Sequence, residues 1–211
     1  MSRISSLDAL PRLLTVVASH TAQLITVSDL AAPFQLTRPT IRDYLTLLER
    51  VFLLDTLPPW HNNQLSRLVK TPKLHIGDTG LACALLRLDG EALHADRETR
   101  GPLLETFVYQ ELRRQASWRP DPFTFFHYRD KDGAEGDIVI ERGAQAIAGV
   151  EVKSSSTVTA SDFRGLRKLR AATGKRFTSG IVLYDGEGAL PFGDRMYAVP
   201  VRALWESSSV N

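Results

Sequence analysis

At 211 residues, with 43% hydrophobic and 24% charged side chains, the chain has room for a sizeable core and one or two domains and is too apolar for disorder. Its longest apolar runs, such as VFLL and AIAGV, fall far short of the roughly 20 residues a membrane helix needs, and the N-terminus lacks a signal peptide's charged-then-apolar order. A cytoplasmic protein with no membrane partner is expected. The net charge of +2 says little by itself, because its distribution matters more for nucleic-acid contact than its sum. The one cysteine, Cys83 in GLACALL, cannot form an internal disulfide and has no Cys or His neighbours at zinc-ligand spacing, so it reads as a small core residue and no structural zinc is implied.

In chain order, DALPRLLTVVAS (8–19) has helical apolar spacing, with Asp8 as N-cap and Pro11 in the first turn. Ser28 is the expected cap of a short helix in DLAAPFQL. A third helix starts at the cap Thr37, takes Pro39 in its first turn and repeats Ile41, Tyr44, Leu45 and Leu48 at spacings of three and four. After Val51 the period drops toward two, through FLLDTLPPW and SRLVKTPKLHI. Three helices followed by an extended pair is the order of a winged helix-turn-helix, expected over residues 1–77. Arg38, Thr40 and Arg42 would stand at the exposed start of its recognition helix, placed to reach a groove or phosphates, or equally to meet a protein.

Beyond this, TGLACALLRL reads as a helix and DGEALHADRETRG as a polar loop, which suggests a boundary before a second domain over 78–211. There follow a helix at 101–117, strands near 123–129, 137–141 and 146–153, a helix at 161–172, a strand at 179–184 and a short strand near 195–200, with a frayed Ser-rich end, ESSSVN. The pattern is α/β. The segment DFRGLRKLRAATGKRF sets six cations against Asp162, which reads either as a solvated helix face or as a phosphate-binding one.

The segment GDIVIERGAQAIAGVEVKSSS (136–156) raises the chemical question. In an extended strand Glu151 and Lys153 share a face while Val150 and Val152 take the other, and Asp137 lies opposite Ile138 and Ile140. If ERGAQ turns a hairpin, Asp137 and Glu151 become near neighbours, and like charges at that distance are destabilising unless a proton or a cation is shared. A hard divalent cation with oxygen ligands is the usual resolution. A third acid, Glu105, falls on the apolar stripe of GPLLETFVYQELRRQ, with Glu111 as the other candidate. The competing structural expectation is an exposed Glu151–Lys153 pair, Asp137 capping a turn, and Glu105 satisfied by an arginine such as Arg129. His75 and His127 lack spacing partners and read as structural.

Glu on a first helix, Asp on one strand and Glu-x-Lys on the next resemble the core of the PD-(D/E)xK nuclease-like superfamily. More closely, LLETFVYQEL, HYRDKDGAEGDIVIE, GVEVKSSSTVTASDFRGLRKL and GIVLYDG resemble the C-terminal region, known as domain of unknown function 4143, of bacterial AAA-type ATPases. The likeness extends over nearly the whole chain. In those proteins a P-loop ATPase domain comes first, then a winged helix, then the nuclease-like domain. The resemblance therefore implies a winged helix-turn-helix followed by a restriction-endonuclease-like domain with a central mixed sheet. This chain departs from the family in carrying no Gly-x-x-x-x-Gly-Lys-Ser/Thr, so no ATP hydrolysis is expected of it and it reads as a fragment or short form of a longer product. It also has Gly136 where an apolar residue is usual, which is expected to loosen the start of the strand bearing Asp137.

What the resemblance implies chemically is one Mg²⁺ or Mn²⁺ held by Glu105, Asp137, Glu151 and the carbonyl of Val152, lowering the pKa of a water for phosphodiester hydrolysis. Lys153 would orient that water or offset charge on the phosphate. Arg164, Arg167 and Lys168 would hold a DNA backbone without sequence preference. The alternatives are a catalytically inactive DNA-binding or assembly module, a homo-oligomer included, and a transcription regulator whose winged helix reads operator sequence.

Overall fold

The computed structural model of the protein describes residues 8–61 and 71–206. Its class is mixed α/β, and the chain folds as two compact units; within the described residues one takes 8–58 and 71–110, the other 59–61 and 111–206. The sequence places a boundary after residue 77. The units instead divide between Gln110 and Glu111, inside one continuous helix.

In the first unit, helix α1 (Ala9–Ser19) buries Leu13 and Val17, and Ala18 with the partly buried Leu14, two i, i+4 pairs side by side on its apolar face. Strand β1 (Gln23–Leu24) follows, then helix α2 (Val27–Ala31). The cap of α2 is Thr26, not Ser28: its hydroxyl accepts from Asp29 N–H while the Asp29 carboxylate accepts from Thr26 N–H, a reciprocal box that Ser28 could not make from inside the helix. Helix α3 (Arg38–Arg50) begins as expected at Thr37, and buries Ile41, Tyr44 and Leu48. Strands β2 (Leu54–Leu57) and β3 (Lys73–Ile76) pair antiparallel, and β1 joins on the other side of β3, giving the order β1-β3-β2. Part of the expected hairpin, residues 66–70, lies outside the described residues, as do residues 207–211 of the expected frayed end.

Helices α4 (Thr79–Leu86) and α5 (Gly90–Ala95) and the first part of α6 (Arg97–Ser117) complete this unit. The stretch expected as a polar loop, 89–101, is mostly helical. Asp89 caps α5 through Ala92 N–H, and the Asp96 carboxylate accepts from Glu98 and Thr99 N–H to start α6, so the charged residues serve as helix starts. The core gathers Leu13, Val17, Leu30, Ile41 and Leu48, each worth roughly 1.5–3 kcal/mol on full burial. Cys83 packs, partly buried, beside Ala18, Ile76, Ala82 and Leu103.

The second unit holds the end of α6 and a six-stranded sheet of β4 (Phe123–Arg129), β5 (Glu135–Arg142), β6 (Ala146–Lys153), β7 (Phe177–Tyr184), β8 (Leu190–Gly193) and β9 (Met196–Pro200). The sheet order is β4-β5-β6-β7-β9-β8. The first three strands form an antiparallel meander, β6 runs parallel to β7 and β7 to β9, and β8 returns antiparallel on the edge. Strand β8 escaped the sequence because LPFG neither alternates nor is rich in β-branched residues. Helix α7 (Arg164–Thr173) makes the crossover from β6 to β7 and buries Leu166 and Leu169 against Val139, Ile147, Phe177 and Val182.

Two glycines set how closely α7 lies on the sheet. A Cβ on Gly149 would stand 2.7 Å from Leu166 Cδ2, and one on Gly165 would stand 1.4 Å from the backbone oxygen of Glu135. Gly165→Ala therefore must lift α7 off β5 and is expected to cost about 1–3 kcal/mol or more, read as a lower urea midpoint with unchanged slope. Gly136, expected to loosen its strand, does not: β5 starts one residue before it, Gly136 is buried, and it pairs with Tyr128.

Candidate functional site

The hairpin forms through the turn the sequence indicated, with Ile138 opposite Val150 and Arg142 opposite Ala146. One step further in that register Asp137 and Glu151 come to face each other, and there the ladder ends. The next N–H of β6 that would pair with β5, that of Val152, donates instead to Asp137 Oδ2 at 2.9 Å. A residue's N–H and C=O point to the same side of an extended strand, so the Val152 carbonyl also faces the β5 side. Asp137 and Glu151 are both buried, 7% and 8% exposed, on the sheet face that α7 covers through Val139, Ile147 and Gly149.

Lys153 Nζ donates to Glu151 Oε1 at 2.8 Å, the lysine side chain 35% exposed and the glutamate 11%. This is the expected ion pair, but the carboxylate is packed rather than on the surface. Burial works against the Lys153 charge; Glu151, Asp137 and Asp162 together outweigh it and hold the ammonium above its ordinary value, so it stays charged at neutral pH. Asp162 was absent from the expected site. It anchors the turn before α7, accepting from Thr159 N–H at 2.7 Å and from the Thr159 hydroxyl at 3.0 Å. Its signal was present in TASD, a Thr followed three residues later by an acid.

Glu105 belongs to the first unit, and there its Oε1 accepts from Lys73 Nζ at 2.7 Å, side chains 13% and 6% exposed. The satisfying cation is thus Lys73 of β3, while Arg129, the partner expected from sequence, pairs with Glu135 at 3.1 Å. Beside this pair, His75 Nδ1 meets the Thr106 hydroxyl at 3.0 Å, Thr106 meets Thr21 at 2.8 Å, and Thr21 accepts from Ile76 N–H. Tyr109 donates to Asp55 Oδ2 at 3.2 Å, and burial pushes its phenol up. Glu111, the other candidate acid, is held by Gln115 and Arg114, which keep its carboxyl below the ordinary range. His127 is fully buried, and its backbone oxygen accepts from Trp60 N–H. Among the described residues no three His, Cys, Asp or Glu side chains are gathered to hold a metal ion. The second unit offers Asp137, Glu151 and a backbone carbonyl, an all-oxygen set; Mg²⁺ is commonly held by one or two carboxylates, waters and a substrate phosphate, so these residues fit it.

Residues 100–204 match the family model of Domain of unknown function (DUF4143). Residues 1–92 match a second, Domain of unknown function (DUF8612). Two uncharacterized proteins, from Mycobacterium tuberculosis and Mycobacterium bovis, are each 29% identical to this chain over 198 residues. The matched stretch is 93% of this chain but 43% of each relative, so the chain spans less than half of their length. The DUF4143 match takes in all four strand-end and helix residues considered above, Glu105, Asp137, Glu151 and Lys153.

Within that matched region the basic residues of α7 differ in what holds them. Lys168 Nζ pairs with Asp130 at 2.6 Å and Asp132 at 3.4 Å, so its charge is spent inside the unit. Arg164 donates to the Asp132 backbone oxygen, and Arg167 to that of Ala160 while lying 5.8 Å over the Phe163 ring; no carboxylate pairs with either among the described residues. In the region matching DUF8612, Arg38 and Arg42 are exposed and one turn apart on α3, while the Thr40 hydroxyl is taken up by Thr37 at 2.9 Å.

The Asp130 contacts have a pH consequence. Burial would raise its carboxyl, but Lys168 and the N–H groups of Ala134 and Asp132 more than offset this, and its pKa is lowered on folding. A carboxylate so depressed stabilises the fold above its unfolded value and loses that contribution as pH falls through the folded one. Asp130→Asn is expected to flatten the loss of stability below about pH 4, measured as urea midpoints across an acid series.

Among the described residues no helix is long and apolar enough to cross a membrane.

Proposed function

We propose that the second unit is a nuclease-like module that holds Mg²⁺ between Asp137 and Glu151 and acts on the phosphodiester bonds of DNA. What supports this is the pairing of two buried carboxylates at the point where β5 and β6 part, with a charged lysine against one of them. Buried acids placed side by side are costly without a shared cation, and the Val152 carbonyl adds a neutral oxygen on the same side. The metal, when bound there, would lower the pKa of a water and offset charge on the phosphate. Lys153, which remains an ammonium at neutral pH, orients the attacking water or stabilises the negative charge that builds on the phosphate oxygens. Asp137 and, more weakly, Asp162 add to the effect of Glu151 in keeping Lys153 charged. Glu105 is left out of the ligand set because Lys73 already holds its carboxylate.

The first unit, with α3 presenting Arg38 and Arg42, would serve as a winged helix that positions the DNA. Supercoiled plasmid incubated with the protein and Mg²⁺ or Mn²⁺ tests the activity: conversion to nicked or linear DNA is expected, and intact plasmid at enzyme excess counts against it. The second reading, an inactive DNA-binding or assembly module, is favoured by the direct Lys153–Glu151 contact and by the absence of a gathered three-acid group among the described residues. It predicts DNA retention without cleavage and without metal uptake.

A further inference from the structure

At the other end of α7 from Asp162, the second unit has an open hollow of about 670 Å³ lined by Arg167, Arg170, Ala171, Lys175 and Arg195 with Asp194. Asp194 neutralises one of the four cations, Arg170, at 2.7 Å. Arg167 and Arg195 donate to backbone oxygens, of Ala160 and Phe177, and Lys175 makes no hydrogen bond or ion pair among the described residues, so three positive charges face the hollow without a carboxylate. Arg195 lies in the turn between β8 and β9, with its backbone in the left-handed region at φ 60°.

We propose that this hollow docks the phosphate backbone of nucleic acid and leads it along α7 toward Asp137, Glu151 and Lys153. Opposite the buried Leu166 and Leu169, the exposed stripe of α7 carries Arg164, Arg167 and Ala171, one small residue among cations, which continues the hollow toward the N-terminal end. A ten-residue helix is about 15 Å long, enough for about four phosphates of a strand that advances roughly 3.4 Å per phosphate. No large apolar side chain lines the hollow, which disfavours insertion into a lipid surface. The docking surface rests on the nuclease-like reading only for its direction toward the strand ends.

The test is fluorescence anisotropy with a labelled 20-base-pair duplex of arbitrary sequence in EDTA, so that binding is read without cleavage. Lys175→Glu, at an exposed side chain with no hydrogen bond or ion pair to lose, is expected to weaken binding about tenfold at low salt and to lower the salt slope by about one. Arg167→Ala should do the same more mildly. Arg142→Glu, an equal charge change at an exposed residue on the other face of the sheet, should change affinity by less than about twofold. Equal losses at Arg142 and Lys175, or none at Lys175, would overturn the proposal, as would equal and equally Lys175-dependent capture by phosphatidylserine vesicles. Lys175-dependent duplex binding by a protein that does not cleave plasmid would leave the docking surface standing and sink only the catalytic reading.

Discussion

Glu151→Gln, Asp137→Asn and Lys153→Met are each expected to reduce Mg²⁺-dependent plasmid cleavage by about a hundredfold to a thousandfold, the loss typical when one charge-stabilising group is removed from a dry site. The amide replacements are chosen because they keep shape and acceptors. An amide at position 137 could still accept from Val152 N–H, and one at position 151 could still accept from Lys153, so the strand ends stay in place while the anionic charge goes. Lys153→Met is the sharper case, since it removes the ammonium that donates to the Glu151 carboxylate while leaving both acids in place. A plasmid assay at neutral pH reads the effect. Equal activity in all four proteins would mean that a trace contaminant, not this site, cuts the DNA.

Lys73→Ala or Glu105→Ala should destabilise the first unit by up to about 3–5 kcal/mol, because each removes one side of a buried ion pair. The two side chains are 6% and 13% exposed, and little water is available to take over. Lys73→Met together with Glu105→Leu should recover most of that loss, since replacing both members of a buried pair by apolar residues is often neutral. Urea unfolding of the three variants checks this. A Lys73→Ala protein as stable as the unaltered one would return Glu105 to consideration as a metal ligand, since its carboxylate would then not depend on Lys73.

The strands and long helices were legible because their signals are local. Thr37 and Pro39 open α3, the period of two marks β5 and β6, and ERGAQ turns between them as read. Asp137 and Glu151 were found for the same reason: strand alternation and one hairpin register suffice to bring them together. Local charge misled at Asp89 and Asp96, where acids that suggest a loop are the caps of α5 and α6. That Lys73 pairs with Glu105 could not be read, because it lies 32 positions earlier on a strand whose four residues are all buried, and the alternation of Lys73, Leu74, His75 and Ile76 gives no sign that its lysine turns inward. Asp162 has a local signal in TASD as the acid of a capping box, but its electrostatic influence on Lys153 arises only in the folded chain and has none.

Isothermal titration of the unaltered protein with Mn²⁺, beside Asp137→Asn and Glu151→Gln, measures whether the strand ends grip a divalent cation. Saturable uptake near one ion per chain, lost in both variants while Lys73→Met with Glu105→Leu retains it, is the predicted result. No uptake, or uptake that both amide variants keep, would contradict it.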